Sequence, residues 1–379
     1  MKRIRVAHIV TLLEFGGAQQ NTLHTVSHLN RDSFEPVLVC GRGAFLDSEI
    51  PKIGCPVHFV PSLVRPVRPW KDLAAFLQMR KILKRIKPDI VHTHSSKAGI
   101  LGRWAAWSAG VPLIVHTFHG FGFNDEQKIL SRFLFLWAER LTAPLTRCLI
   151  FVSEANRRTA ERERIGDPGC HRIIRSGIPL KKYNSVVKTK QPLSGLPVEE
   201  SHQVVTTIGP FKPQKNLTDF LLMAETVRRK NARARFLIVG DGLLRPLLQK
   251  MIGEKGLTDI VHLVGWRRDV PDILARTDVF VLTSLWEGLP RALLEAMASG
   301  LPSVANDVDG VSDVLIDGQT GFLIPPHSPQ RTAERVLELL DRPDEMMRMG
   351  HAARSHVGVD FDIDHMVLQQ ETLYKELIG

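Results

Sequence analysis

Long apolar runs are missing from this sequence, so no segment is expected to span a bilayer. Cysteine is sparse. Cys40, Cys55, Cys148 and Cys170 lie far apart without metal-ligand spacing, which fits structural thiols in a reducing compartment. Aromatic residues make up only 7%, and no nucleic-acid-binding signature occurs, which speaks against a nucleic-acid partner. Neither a G-x-G-x-x-G fingerprint nor a Walker loop is present, so simple dinucleotide or ATP binding is not expected. Acidic charge is short in the first half. Residues 1–185 hold 28 Lys and Arg against 14 Asp and Glu, a net of +14, whereas the remainder nets −4. Such asymmetry points to an anionic partner for one half or to a generally basic domain, and among anionic partners it leaves a membrane surface in view.

What is present is a repeated strand–helix rhythm over 379 residues, a length that predicts two domains. The N-terminus, with basic residues and then a short apolar stretch containing His8, reads as a first buried strand and not as a signal peptide. Strands are expected at Arg5–Val10, Pro36–Cys40, Val57–Val60, Asp89–His94, Leu113–Thr117 and Cys148–Ser153, with helical stretches between them such as Trp70–Ile86 and Lys97–Ala109. This alternation predicts a parallel sheet covered by helices on both faces. Lys181–Ser201, with Pro192, Gly195 and Pro197, interrupts it and reads as a linker. The rhythm then restarts with strands at Val204–Gly209, Arg235–Val239, Val261–Val264, Val279–Thr283 and Ser303–Ala305, and ends in a helix over Asp364–Ile378. The expected layout is a first domain over 1–185, a linker over 186–201, a second domain over 202–360, and a C-terminal helix over 361–379 able to cross back to the first. Two facing Rossmann-like domains would leave a cleft at the C-terminal ends of both sheets, where open α/β sheets bind ligands.

Three strand-to-helix turns carry candidate chemistry. Gly16-Gly17 follows the first strand, and paired glycines before a helix N-terminus let a backbone approach a phosphate. Lys212 and Lys215 follow the strand ending near Gly209, as Gly209-Pro210-Phe211-Lys212-Pro213-Gln214-Lys215-Asn216, and would place two ammonium groups where a diphosphate needs counter-charge. The third is the most specific. Thr283-Ser284-Leu285-Trp286-Glu287-Gly288-Leu289-Pro290 leads into a helix bearing Glu295. Pro290 suits the first helical position, and the helix N-terminus with the Gly288-Leu289 loop amides suits a phosphate. Glu287 and Glu295 beside an anion seat make sense where they accept hydroxyl hydrogen bonds, as from ribose and sugar. His92 and His94 share one strand face and His116 follows on another strand, and these three read as structural. No cluster of Cys, Asp or Glu completes a metal site, and none is expected.

These segments resemble the family-4 retaining glycosyltransferases of the GT-B fold, with Glu287 and Glu295 as the E-x7-E signature inside EGLPRALLEAMASGLP. The similarity continues through GGAQ at 16–19, VHTHSSKAGILGRWAA at 91–106, VHTFHG at 115–120, FVSEANRR at 151–158, PFKPQKN at 210–216, VGDG at 239–242, VGWRRDVPDILARTDVFVLTS at 264–284 and DGQTGFLIPP at 317–326.

The resemblance implies an acceptor-binding first domain and a nucleotide-sugar-binding second one. It implies that Gly16 and Gly17 approach the donor phosphates, Lys215 the diphosphate, Glu295 the ribose hydroxyls and Glu287 the transferred sugar. Gly288, Leu289 and Pro290 would line the phosphate and sugar seat, Gly265-Trp266-Arg267 would edge the base pocket, and His119 would stand near the reaction centre. Many relatives carry Gly-Arg-Leu where this chain has Gly209-Pro210-Phe211, and Lys212 would replace the missing arginine, as a point charge without its bidentate fork.

The implied reaction is retaining transfer from a nucleotide diphosphate-sugar, UDP-linked by preference, with no metal or other cofactor and with His119, Glu287 and Lys215 at its centre. A nucleotide-sugar epimerase of the same fold and a non-catalytic nucleotide-sugar-binding protein are the alternatives. The basic run Arg65–Lys87, interleaved with Trp70, Leu73, Phe76, Leu77, Leu83 and Ile86, suits an anionic membrane surface. It equally suits a surface helix packing its apolar stripe on its own sheet. With the family's use of isoprenoid-diphosphate acceptors, the expectation is a peripheral enzyme on the cytoplasmic membrane face, acting on a lipid-linked or glycan acceptor.

Overall fold

The computed structural model describes residues 2–193 and 195–379. In chain order the first elements are β1 (Ile4–Val10), α1 (Gly17–His28), β2 (Phe34–Cys40), β3 (Val57–Phe59), α2 (Pro69–Ile86), β4 (Ile90–His94), α3 (Ser96–Ala109), β5 (Leu113–Phe118), α4 (Ile129–Thr142), β6 (Cys148–Phe151), α5 (Glu154–Arg162) and β7 (His171–Ile173). There follow α6 (Leu180–Asn184), β8 (Gln203–Ile208), α7 (Leu217–Arg228), β9 (Ala234–Val239), α8 (Arg245–Glu254), β10 (Val261–Gly265), α9 (Val270–Arg276), β11 (Val279–Leu282), α10 (Arg291–Ala298), β12 (Ser303–Asn306), β13 (Gly321–Ile324), α11 (Pro329–Asp341), α12 (Pro343–His356) and α13 (Ile363–Ile378).

The chain forms two compact units, Met1–Gly177 with Ile363–Gly379, and Ile178–Asp362. The first holds a parallel sheet in the order β3-β2-β1-β4-β5-β6-β7, the second one in the order β10-β9-β8-β11-β12-β13. Strands such as Ile-Val-His-Thr-His of β4 and Val-Phe-Val-Leu of β11 are wholly buried, because helices cover both faces of a parallel sheet. In each sheet the strand order reverses once, between β1 and β4 and between β8 and β11, and ligand-binding loops gather at such points.

Two short strands, β7 and β13, lie outside the strands expected from the sequence. β7 is three residues, one of them an exposed arginine, too short for a period-two signal. The stretch 186–201 is grouped with the second unit instead of standing apart. Thr189 N–H donates to Ala275 O at 3.0 Å, and Lys190 Nζ lies 2.6 Å from Asp278 Oδ1. The break between units falls at Gly177/Ile178 and not after residue 185, since α6 packs on α10.

Helix α13 lies in the first unit, where Ile363, Met366, Val367, Leu373 and Tyr374 share one apolar cluster with Val6, Phe34, Ile90 and Val115. Burying each large apolar side chain contributes roughly 1.5–3 kcal/mol, so this helix is part of the first unit's core.

Helix α2 divides the apolar stripe read from its sequence. Leu83 joins Ala75 and Met79 in the core, and Phe76 and Ile86 pack against it, whereas Trp70, Leu73 and Leu77 are exposed. Helix α4 is apolar on its outer face and turns polar side chains inward beside Leu136, which joins an apolar cluster. Its inward residues include Glu139, ion-paired to the fully buried Arg103, and Thr142, whose hydroxyl accepts from Trp104 Nε1 at 3.1 Å. Its outward face carries Ile129, Leu130, Phe133, Leu134, Trp137 and Leu141, all exposed.

Candidate active site

In the second unit the loops after β8 and β11 are cross-linked at the strand reversal. Leu285 N–H donates to Gln214 O at 2.9 Å, Gln214 Nε2 to Trp286 O at 2.8 Å, and Thr283 Oγ1 to Lys215 O at 2.8 Å. Glycines make this approach possible. A Cβ on Gly209 would stand 2.9 Å from Lys215 Cε, so the lysine stem lies where a side chain would otherwise be. A Cβ on Gly240, at φ +135°, would stand 2.0 Å from Gly209 O, an approach only glycine permits. The result is that Lys215 Nζ sits 2.5 Å from Glu287 Oε1, with the two side chains 12% and 9% exposed. Glu287 N–H donates in turn to Asp309 Oδ2 at 3.1 Å. The structure thus places Glu287 against Lys215, a pairing that the sequence reading, which gave each a separate ligand, did not foresee.

Glu295 lies on α10, nearly enclosed. Burial pushes its carboxyl above the usual carboxylate range, opposed by Arg291, by a hydrogen bond from the Tyr183 hydroxyl, and by Lys182. Arg291 Nη2 is 3.5 Å from Glu295 Oε1. Burial, and then the Glu295 charge, raise the Tyr183 phenol in the same way. Tyr183 was missed because its segment reads as the start of a linker, although it is one of only two tyrosines in the chain.

Pro290 takes the N-cap of α10 and not its first helical position. Its φ −77°, ψ 95° is extended, and its carbonyl receives the Leu293 and Leu294 amides. The amides that open α10 lack partners within their own helix, as at any helix start, and follow directly on Gly288 and Leu289.

At the edge of the same unit Gly265, at φ +74°, accepts from Gly240 N–H at 2.9 Å. Next to Trp266, Arg267 grips Asp269 through two bonds of 2.8 and 2.6 Å, which holds the Asp269 carboxyl below its ordinary range. Arg267 is therefore locally engaged and lends Gly265-Trp266 a fixed edge. Lys212 precedes the short 3-10 turn Pro213–Lys215 as its N-cap.

In the first unit, Gly16 caps α1 and Gly17 is the first residue of that helix. His119 follows β5 by one residue and places Nε2 3.2 Å from His94 Nδ1. The register brings His8 of β1 opposite His92 of β4, and His8 Nδ1 lies 3.0 Å from His94 Nε2. The ring nitrogens of His8, His92 and His94 thus gather within 4.8 Å. Burial lowers all three, His8 to about 3, so they are neutral at pH 7. His116 points to the other face, its Nδ1 2.8 Å from Thr93 Oγ1, and packs where Gly99 has no side chain. The place of His8 in this group rests on the β1–β4 pairing, which joins strands more than eighty residues apart and leaves no local signal.

The chain resembles known proteins in sequence and in fold. The Glycosyl transferase 4-like domain profile matches residues 16–177, and the Glycosyl transferases group 1 profile matches 194–356. The UDP-Gal:alpha-D-GlcNAc-diphosphoundecaprenol alpha-1,3-galactosyltransferase of Escherichia coli is 32% identical over 387 residues, covering 99% of this chain and 98% of that protein. Among solved structures, Anabaena HepE in complex with UDP and glucose superposes with a TM-score of 0.82 at 20% identity, over 98% of this chain and 100% of the other. Sucrose-phosphate synthase from Thermosynechococcus elongatus does so with 0.85 at 20%, over 99% of both. These two likenesses establish the fold, GT-B with two Rossmann-like domains. With both profiles in chain order and a relative 32% identical along its whole length, the protein belongs to the glycosyltransferases of group 1, whose first domain is of the 4-like type.

Proposed function

We propose that this glycosyltransferase moves a hexosyl group from a UDP-sugar, with retention and without a metal ion, onto a polyprenyl-diphosphate-linked saccharide. The observation that carries the reading is the Lys215–Glu287 pair at the strand reversal of the second sheet, one cation and one carboxylate held at 2.5 Å. Departure of the sugar leaves negative charge on the diphosphate. Lys215, Lys212 and the opening amides of α10 supply fixed counter-charge as it develops, which is where electrostatic catalysis acts. Glu287 accepts hydroxyl hydrogen bonds from the transferred sugar, and Glu295 accepts them from the ribose. Gly288, Leu289 and Pro290 line the seat, and Gly265, Trp266 and Arg267 edge the base. Gly16 and Gly17 are assigned to the donor phosphates and His119 to the sugar from their match to the family's motifs. The donor and the acceptor class follow from the Escherichia coli relative, whose name carries both.

The same reading puts the protein on the inner face of the cytoplasmic membrane. No helix among the described residues is long and apolar enough to cross a membrane. The outward face of α4, with Phe133 and Trp137, and the neighbouring Trp107 of α3 are exposed apolar surface in the more basic half of the chain. Aromatic and aliphatic side chains of that kind partition into a headgroup layer, and basic residues nearby add attraction to anionic lipid.

The test is turnover of UDP-sugars with a polyprenyl-diphosphate-linked saccharide in excess EDTA. UDP release that depends on the acceptor supports the reading. Activity lost in EDTA and restored by magnesium or manganese removes the metal-free part. Conversion of the donor without acceptor favours an epimerase.

A further inference from the structure

We infer that His94 is a positioning residue which, backed by His8, fixes the ring and the tautomer of His119. The inference rests on the proposed role of His119 beside the donor sugar and goes beyond it. His94 bonds both ways. Its Nδ1 lies 3.2 Å from His119 Nε2, and its Nε2 lies 3.0 Å from His8 Nδ1. The His8 and His94 rings stack with an interplanar angle of 9°. A neutral imidazole has one N–H and one lone pair, so the three rings must agree on a direction. If His8 Nδ1–H donates to His94, then His94 Nδ1–H donates to His119, and the His119 proton sits on Nδ1. In the reverse order His119 donates from Nε2, and His8 ends with its proton on Nε2. The two orders exchange a proton between the outer ends of the chain, His8 Nε2 and His119 Nδ1, and both pass through His94, so the His119 tautomer is tied to His94 and His8 in either order.

Neighbouring groups keep the relay neutral and aligned. His92 fills its own bonds separately, Nε2 to Thr117 Oγ1 at 2.7 Å and Nδ1 to Tyr374 OH at 2.5 Å. Both nitrogens of His92 and both of His94 are thus engaged in hydrogen bonds. Burial lowers His8 and His94 far enough that neither carries charge at pH 7.

The test combines tautomer and rate. Long-range proton–nitrogen NMR of protein labelled with 15N-histidine should show His119 in a single tautomer at pH 7. His94→Leu and His8→Phe should each turn that single form into a mixture or into the other tautomer. His94→Leu should lower kcat roughly five- to tenfold, the equivalent of one neutral hydrogen bond, with KM for the UDP-sugar little changed. His94→Asn, which keeps a donor near the Nδ1 position, should recover most of that rate. If His94→Leu does not fold, His8→Phe and His94→Asn carry the same NMR comparison. A mixture of tautomers on His119 in the wild type, or a tautomer indifferent to both His8 and His94, overturns the inference. So does stoichiometric zinc that is lost in His8→Phe. If His119→Ala leaves turnover unchanged, the proposed role of His119 fails, while the NMR result still judges the relay by itself.

Discussion

Lys215 donates to Glu287 Oε1 at 2.5 Å, and Gly209 leaves the space through which the lysine stem reaches it. The pair is neutral as a whole, but it holds the lysine ammonium in place before any diphosphate arrives. Because both side chains are largely buried, removing one strands the other. Lys215→Ala or Glu287→Ala should each destabilise the second unit by up to about 3–5 kcal/mol, and Lys215→Met with Glu287→Leu together should cost less than the two single changes summed. Denaturant melts of the four proteins check this. For turnover, Lys215→Ala should lose on the order of 100-fold, more than Lys212→Ala. Equal large losses would instead assign to Lys212 the role of the arginine absent at Pro210.

Glu295→Ala should weaken UDP binding by roughly 1.5–3 kcal/mol, the cost of hydrogen bonds to a charged group, as read by calorimetry. Unchanged affinity removes Glu295 from the ribose. The same carboxyl also has a stability signature. Its folded-state pKa is raised by burial, so the folded state holds the proton more tightly than the unfolded one. Its contribution is favourable in acid and declines as pH rises from the ordinary carboxylate range toward the folded value. The melting temperature of Glu295→Gln relative to wild type should therefore rise with pH over that window.

Lys188 gives the opposite sign. Burial lowers its folded pKa from 10.5 to about 7, while its Nζ donates to Leu274 O at 3.2 Å and to Thr277 O. The folded state favours the neutral amine. Stability from this group is low below pH 7 and grows between pH 7 and the unfolded value near 10.5. Lys188→Met should flatten that rise in thermal melts at pH 7 to 10. A wild-type curve with the same slope as the variant contradicts the assignment.

Flotation with vesicles tests the membrane face. Binding should need anionic lipid, fall with salt, and be lost in Phe133→Glu or Trp137→Glu. Both positions are exposed, so folding should survive the change. Protein that stays in the soluble fraction with anionic vesicles at low salt refutes the membrane half of the proposal.

Most strands were legible because a parallel sheet buries both faces and leaves near-continuous runs such as Val-Phe-Val-Leu at 279–282 between turn residues. The glycine-and-lysine loop and E-x7-E were legible as motifs. What they touch was not. Tyr183 reaches Glu295 from a segment without periodicity, and His8 meets His94 only through a crossover pairing. Helix α4 escaped for a different reason. Pattern reading assumes that apolar faces turn inward, and here Glu139 is taken inside by Arg103 while Phe133 and Trp137 face out.

The central claim, retaining transfer from a UDP-sugar to a lipid-linked saccharide, is tested most directly by the anomeric configuration of the product. The assay supplies an α-linked UDP-hexose and a polyprenyl-diphosphate-linked saccharide in excess EDTA, and reads the new linkage by its one-bond carbon–proton coupling. The account predicts an α-glycoside, formed in step with UDP release and strongly reduced in Lys215→Ala. A β-glycoside, or no transfer from any UDP-hexose while another nucleotide sugar is consumed, would contradict it.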